Sequence, residues 1–109
     1  MAQFSDTLIQ QVWEKATSIS GYDPNIWRKD FASAWIRKDL YGTDHKFGWE
    51  IDHLKPISRG GTDNINNLYP LHWKNNRVKA DNYPNFQTAI TSNDNQNIEK
   101  PQSWKANTQ

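Results

Sequence analysis

The chain of 109 residues contains no cysteine, so neither a disulfide framework nor a thiolate-held structural zinc can compensate for a small core. Long apolar runs are missing as well. No stretch approaches the about 18 residues that a spanning helix needs, and Met1 to Thr17 has neither the basic start nor the apolar centre of a signal peptide. A soluble cytoplasmic protein without membrane contact is expected. An excess of one charge is also lacking. The 13 Lys and Arg face 12 Asp and Glu, so bulk electrostatics does not announce a polyanion partner, and any nucleic-acid contact must come from local placement.

What the chain does have is aromatic rings. Six Trp, four Tyr and four Phe stand in a sequence that is 35% hydrophobic, with a mean hydropathy of −1.00. Each such ring can bury roughly 150–250 Å², so a single domain with a small aromatic core is expected.

The first element reads as a helix. Ser5 can cap it, Phe4 can staple onto Ile9, and Leu8, Ile9, Val12, Trp13 and Ala16 recur at helical spacing up to an end near Ser18 to Gly21. Tyr22 to Asn25 is a turn around Pro24. Ile26 to Tyr41 is ambiguous between helix and strand, and a short helix is placed first. Trp49 and Ile51 begin a strand that Pro56 brings to an end or a distortion near His53 to Lys55. Gly60-Gly61 and Thr62-Asp63-Asn64 form a loop. A second strand covers Asn67 to Leu71, stopped by Pro70, and a helix runs from Trp73 to Asp81 before Pro84. Residues 1–90 are thus expected as one domain, and 91–109, rich in Asn, Gln, Thr and Ser, as a flexible polar tail onto which Trp104 alone offers a docking group.

One stretch carries chemistry. Asp52-His53, Gly60-Gly61, Asn67-Leu68, Asn75-Asn76 and Lys79 lie within WEIDHLKPISRGGTDNINNLYPLHWKNNRVK. An imidazole can take a proton from water near neutral pH. Asp52 and Asn76 are oxygen donors, one charged and one neutral, which suits Mg²⁺ or Mn²⁺ better than zinc. On a regular strand, Asp52 and His53 would face opposite sides, so a bulge or a strand end is expected there.

This stretch resembles the HNH endonucleases, over about residues 48–82. His53, Asn67, Asn76 and Lys79 keep a spacing similar to that in the HNH domain of RNA-guided CRISPR effectors, where Asn also takes the last family position. The resemblance implies an α+β fold: a small ββα-metal motif of the His-Me finger type, flanked by the N-terminal helix and the C-terminal tail. It implies that Asp52 and Asn76 bind one divalent ion and that His53 is the general base. It further implies that Asn67 holds the loop and orients the imidazole, its carbonyl serving as the partner, and that Lys79 approaches the phosphate. Arg59, Lys74 and Arg77 are candidate contacts to the nucleic-acid backbone. The implied reaction is hydrolysis of DNA to a 5′-phosphate and a 3′-hydroxyl by a bacterial or phage-encoded enzyme, monomeric or homodimeric. A catalytically silent DNA-binding finger and a nuclease toxin domain are the alternatives. Many members of the family staple the finger with two Cys-x-x-Cys pairs around zinc. Here His72 and Asn75 replace the downstream pair, so no structural zinc is expected, His72 is read as structural, and the finger is expected to be held by packing alone, through the N-terminal helix and Trp49 and Trp73.

Overall fold

The computed structural model describes residues 3–107. Ser5 caps α1 (Asp6–Trp13), its side chain accepting the Leu8 N–H at 3.1 Å, a role its hydroxyl suits. The helix is shorter than its apolar spacing predicts. Beyond Trp13 the backbone is drawn off to pair Thr17 with Lys29 in an antiparallel bridge, and Arg28 Nη1 donates to the freed carbonyls of Glu14 and Ala16 at 3.2 and 3.1 Å.

The short helix expected after Ile26 is corrected to a hairpin of β1 (Trp27–Lys29) and β2 (Trp35–Arg37). Its turn is built on Asp30, whose carboxylate accepts the N–H groups of Ala32 and Ala34 at 3.0 and 2.9 Å, while Ser33 adopts a φ of 69°. A side chain that claims local N–H groups in this way competes directly with helix formation.

The next unit is strand, strand, helix. β3 (Trp49–His53) and β4 (Leu68–His72) pair antiparallel in unbroken register, with Ile51 opposite Pro70, Asp52 opposite Tyr69 and His53 opposite Leu68. Pro70 does not stop β4, because a two-stranded ribbon has outward-facing N–H positions that a proline can occupy without losing a ladder bond. α2 (Trp73–Lys79) follows at once and ends two residues earlier than expected, where Ala80 takes a φ of 49°. Val12, Trp13, Ala16, Ile36, Trp49, Ile51 and Leu68 form the core on the α1 side of this ribbon. Trp13 and Trp49 are fully buried, with ring centroids 5.3 Å apart.

The tail expected from residue 91 onward is also corrected. β5 (Asn85–Asn93) and β6 (Gln96–Lys105) form a long antiparallel hairpin, so the boundary drawn at residue 90 falls inside a strand. The tight turn has Asp94 at a φ of 54°, a conformation that Asp and Asn tolerate. Trp104 does dock: its Nε1 donates to Thr88 Oγ1 at 2.9 Å and its ring meets Phe31 edge-on at 5.2 Å. The described residues thus form a mixed α+β structure of two helices and three two-stranded antiparallel sheets. No helix among them is long and apolar enough to cross a membrane.

Packing is not all that holds α2. Asn75 is fully buried and makes its full complement of hydrogen bonds: Nδ2 donates to Asp30 Oδ2 and the Ile90 carbonyl, and Oδ1 accepts the N–H groups of Ala89 and Ile90. His72 caps the helix, Nδ1 accepting the Lys74 N–H at 3.1 Å, and its Nε2 meets the Lys46 carbonyl at 2.8 Å. Burial lowers the His72 pKa, in keeping with a neutral ring that accepts at one nitrogen and donates at the other. The positions of the missing cysteine pair therefore carry a buried polar staple, which ties α2 to β5, to the Asp30 turn and to the loop before β3.

Candidate active site

β3 ends at His53, and no register shift falls between Asp52 and His53. The bulge is absent and the strand end is what allows both side chains to border one space. Strand alternation sends Asp52 toward α2, where Lys79 waits, and His53 to the opposite face beside the Phe4 ring, with centroids 6.0 Å apart. Being at the end of the strand, His53 still reaches the rim of a concavity of about 500 Å³ that Asp52, Asn76, Arg77, Ser58 and Asp81 also line.

The two oxygen donors are held differently. Asp52 is only 4% exposed, and its Oδ1 lies 3.3 Å from Lys79 Nζ, while Oδ2 is buried with no hydrogen-bond partner among the described residues. Burial pushes the Asp52 carboxyl up to about 6, with the Lys79 ammonium opposing that rise and Asp81 adding to it. Asn76 Nδ2 donates to Glu50 Oε1 at 2.9 Å. A carboxylate can only accept, so it fixes which end of the amide is which, and Asn76 Oδ1 accepts no hydrogen bond among the described residues. Glu50 and Asn76 join β3 to α2, and Arg77 closes the same cluster at 3.3 Å from Glu50 Oε2.

The structure bears on three of the expected roles. The Lys79 side chain is not open to a phosphate: it has no exposed surface, its ammonium donates to the His53 carbonyl at 3.2 Å, and the Phe86 ring lies 5.2 Å away. Asn67 does hold the loop, with Nδ2 donating to the carbonyls of Lys55 and Thr62 and Oδ1 accepting the Lys55 N–H. Neither carbonyl of Asn67 is hydrogen-bonded to the imidazole: the backbone one accepts the Leu54 N–H at 2.9 Å and the side-chain one the Lys55 N–H. The partner of His53 is Asp63, whose Oδ1 lies 2.6 Å from Nε2. Lys74, finally, belongs to a separate concavity with His72, Trp73 and Glu99. Arg77 lines the His53 concavity and is 64% exposed, and Arg59 Nε is tied to the Asp81 carbonyl at its edge.

Asp63 and Asp81 are the site residues that the sequence reading did not single out. Glu50 is expected from strand alternation on the face of Asp52, as a carboxylate behind the ligands or a partner of a basic side chain, and it meets Asn76 and Arg77. Asp63 and Asp81 sit in irregular backbone, where spacing gives no direction.

Among the described residues no group of three or more His, Cys, Asp and Glu is arranged to hold a metal ion. The donor set here is of another kind, one carboxylate and one amide. Asp52 and Asn76 line a single concavity, and each keeps a side-chain oxygen without a hydrogen-bond partner among the described residues, a donor set that fits a hard cation keeping several waters.

The model of the HNH endonuclease family matches residues 42–82, the segment that holds β3, the glycine loop, β4 and α2. That segment is thereby similar to a nuclease or DNA-binding HNH domain, a class that acts on nucleic acid and generally uses a divalent metal. No curated protein and no solved structure matches the chain.

Proposed function

We propose that the protein is a metal-dependent HNH endonuclease hydrolysing DNA phosphodiester bonds, with His53 as general base and Asp52 and Asn76 as the ligands of one Mg²⁺ or Mn²⁺. The observation that carries the proposal is the meeting of Asp52, His53 and Asn76 at one open concavity, with an oxygen on each ligand that has no hydrogen-bond partner among the described residues. His53 takes a proton from a water whose oxygen attacks phosphorus. The bond from phosphorus to O3′ breaks, leaving a 5′-phosphate, and the departing O3′ takes a proton from solvent water to become the 3′-hydroxyl while His53 returns its proton to solvent. A bound divalent ion would polarise the phosphoryl oxygen and stabilise the charge growing on the departing oxygen. Lys79 and Glu50 act behind the ligands: Lys79 neutralises one side of the Asp52 carboxylate, and Glu50 turns the Asn76 carbonyl oxygen away from itself. Arg77 at the rim and Arg59 at the edge are positioned for backbone phosphates.

One observation favours a silent DNA-binding finger instead, namely that Lys79 already supplies a cation to Asp52. The two readings separate in a plasmid-relaxation assay with Mg²⁺ or Mn²⁺. The nuclease reading expects relaxation by the parent chain, a loss of at least 100-fold in His53→Ala, and a large loss in Asn76→Ala. Equal behaviour of all three proteins rejects the assignment.

A further inference from the structure

Resting on the nuclease reading, we propose that Asp63 is the positioning residue for His53, and that Asn67 acts on the imidazole through it. A carboxylate 2.6 Å from Nε2 can only accept, so the neutral ring must carry its proton on Nε2 and leave the Nδ1 lone pair for the attacking water. Nδ1 makes no hydrogen bond among the described residues. The pairing selects the tautomer, fixes the ring against rotation about its χ2 torsion, and places a negative charge behind the imidazolium that forms when the proton arrives. A carboxylate behind a basic histidine does this in other catalytic frameworks on unrelated folds.

Asp63 is itself 61% exposed, so its loop must be what aims it. The loop is gripped on both sides. Before Asp63, the Thr62 carbonyl accepts Asn67 Nδ2 at 2.9 Å, and the Gly61 N–H donates to the Pro56 carbonyl at 2.9 Å. A Cβ on Gly61 would fall 1.7 Å from the Lys55 carbonyl oxygen, so that position has to stay glycine for the loop to close. After Asp63, Asn64 caps the following 3-10 turn (Ile65–Asn67), its Oδ1 accepting the Asn66 N–H at 2.9 Å. The same Asn67 side chain also spans the two backbone groups of Lys55, two residues beyond His53. One amide thus sets the distance between the segment bearing the base and the segment bearing its carboxylate.

The test uses the full chain in two states. In the metal-free protein above pH 8, where metal chemistry plays no part, proton NMR of the imidazole groups should show the His53 Nε2–H held against exchange with water. That resonance should vanish in Asp63→Ala while the backbone amide spectrum stays dispersed. In the metal-loaded protein, Asp63→Ala should lower kcat about 10- to 100-fold at near-constant KM, with part of the loss recovered in Asp63→Glu. Absence of the protected proton in the parent chain overturns the pairing. A lowered melting temperature with unchanged kcat overturns its catalytic use and leaves only a loop clasp. A parent chain that shows the protected proton yet cleaves no DNA rejects the nuclease reading, and with it the use of the pair in catalysis.

Discussion

A lysine ammonium with no exposed surface needs a counter-charge, and Lys79 has Asp52 for that purpose. Neither residue type reveals burial in the sequence; Lys79 looks like a solvated helix lysine until Phe86 and β5 are packed over it. Removing one partner of such a pair leaves an uncompensated buried charge, which costs about 3–5 kcal/mol. Lys79→Ala should therefore lose stability on that scale in urea unfolding, and Lys79→Met combined with Asp52→Asn should recover much of it. A loss below about 1 kcal/mol for Lys79→Ala would show that the pair does not hold the site together. Asp30 makes a second case. Burial pushes its carboxyl up to about 6, against four hydrogen-bond donors that pull it down. A raised folded-state value means that the stabilising contribution is complete below the unfolded value near 4 and is lost as pH rises through about 6. Asp30→Asn has no such term. The destabilisation it causes should be largest near pH 4 and shrink by up to about 3 kcal/mol by pH 7, and a penalty independent of pH would refute the burial account.

At the scale of elements, the segment with chemistry was the legible one. The alternation of Trp49 and Ile51, the glycine pair and the helical run after His72 gave β3, the loop and α2 nearly in place, because local pattern and tertiary role agree there. The flanking hairpins were not legible. β1 and β2 are three residues each, and what makes them strands is an Asp30 carboxylate that also answers to His72 and Asn75, far along the chain. β5 and β6 have too few hydrophobes to read as core, although Phe86, Thr88 and Ile90 alternate inward and Asp94-Asn95 offered a tight-turn pair. Their contribution is to cover Lys79 and to satisfy Asn75, which in an open structure would be a buried amide without partners. A chain ending at residue 90 should accordingly lose cooperative thermal unfolding by circular dichroism, even though the whole matched segment 42–82 is retained. A sharp melt within a few degrees of the parent would mean that the strand, strand, helix unit stands without the hairpin.

Across the whole molecule, the near balance of charge has a consequence for how the proposed DNA substrate would be held. Many of the cations are already engaged inside the fold: Lys15 and Arg28 bond backbone carbonyls, Arg37 is paired with Asp39, and Lys79 is buried. Around the His53 concavity, Arg77 lies against Glu50 and Arg59 Nε against the Asp81 carbonyl, and under the nuclease reading these two guanidinium groups would meet phosphates through their remaining N–H groups. Each phosphate neutralised on duplex DNA contributes about −0.9 to the slope of log K against log salt, so two contacts give a slope near about −2. Binding of the His53→Ala protein to a short duplex, followed by fluorescence anisotropy between about 50 and 200 mM salt, should yield that shallow dependence, and Arg77→Ala should bring it near about −1. A slope steeper than about −4 would place the main contact surface elsewhere, with Lys74 in the second concavity as the first residue to mutate, and the DNA path across the His53 site would have to be redrawn.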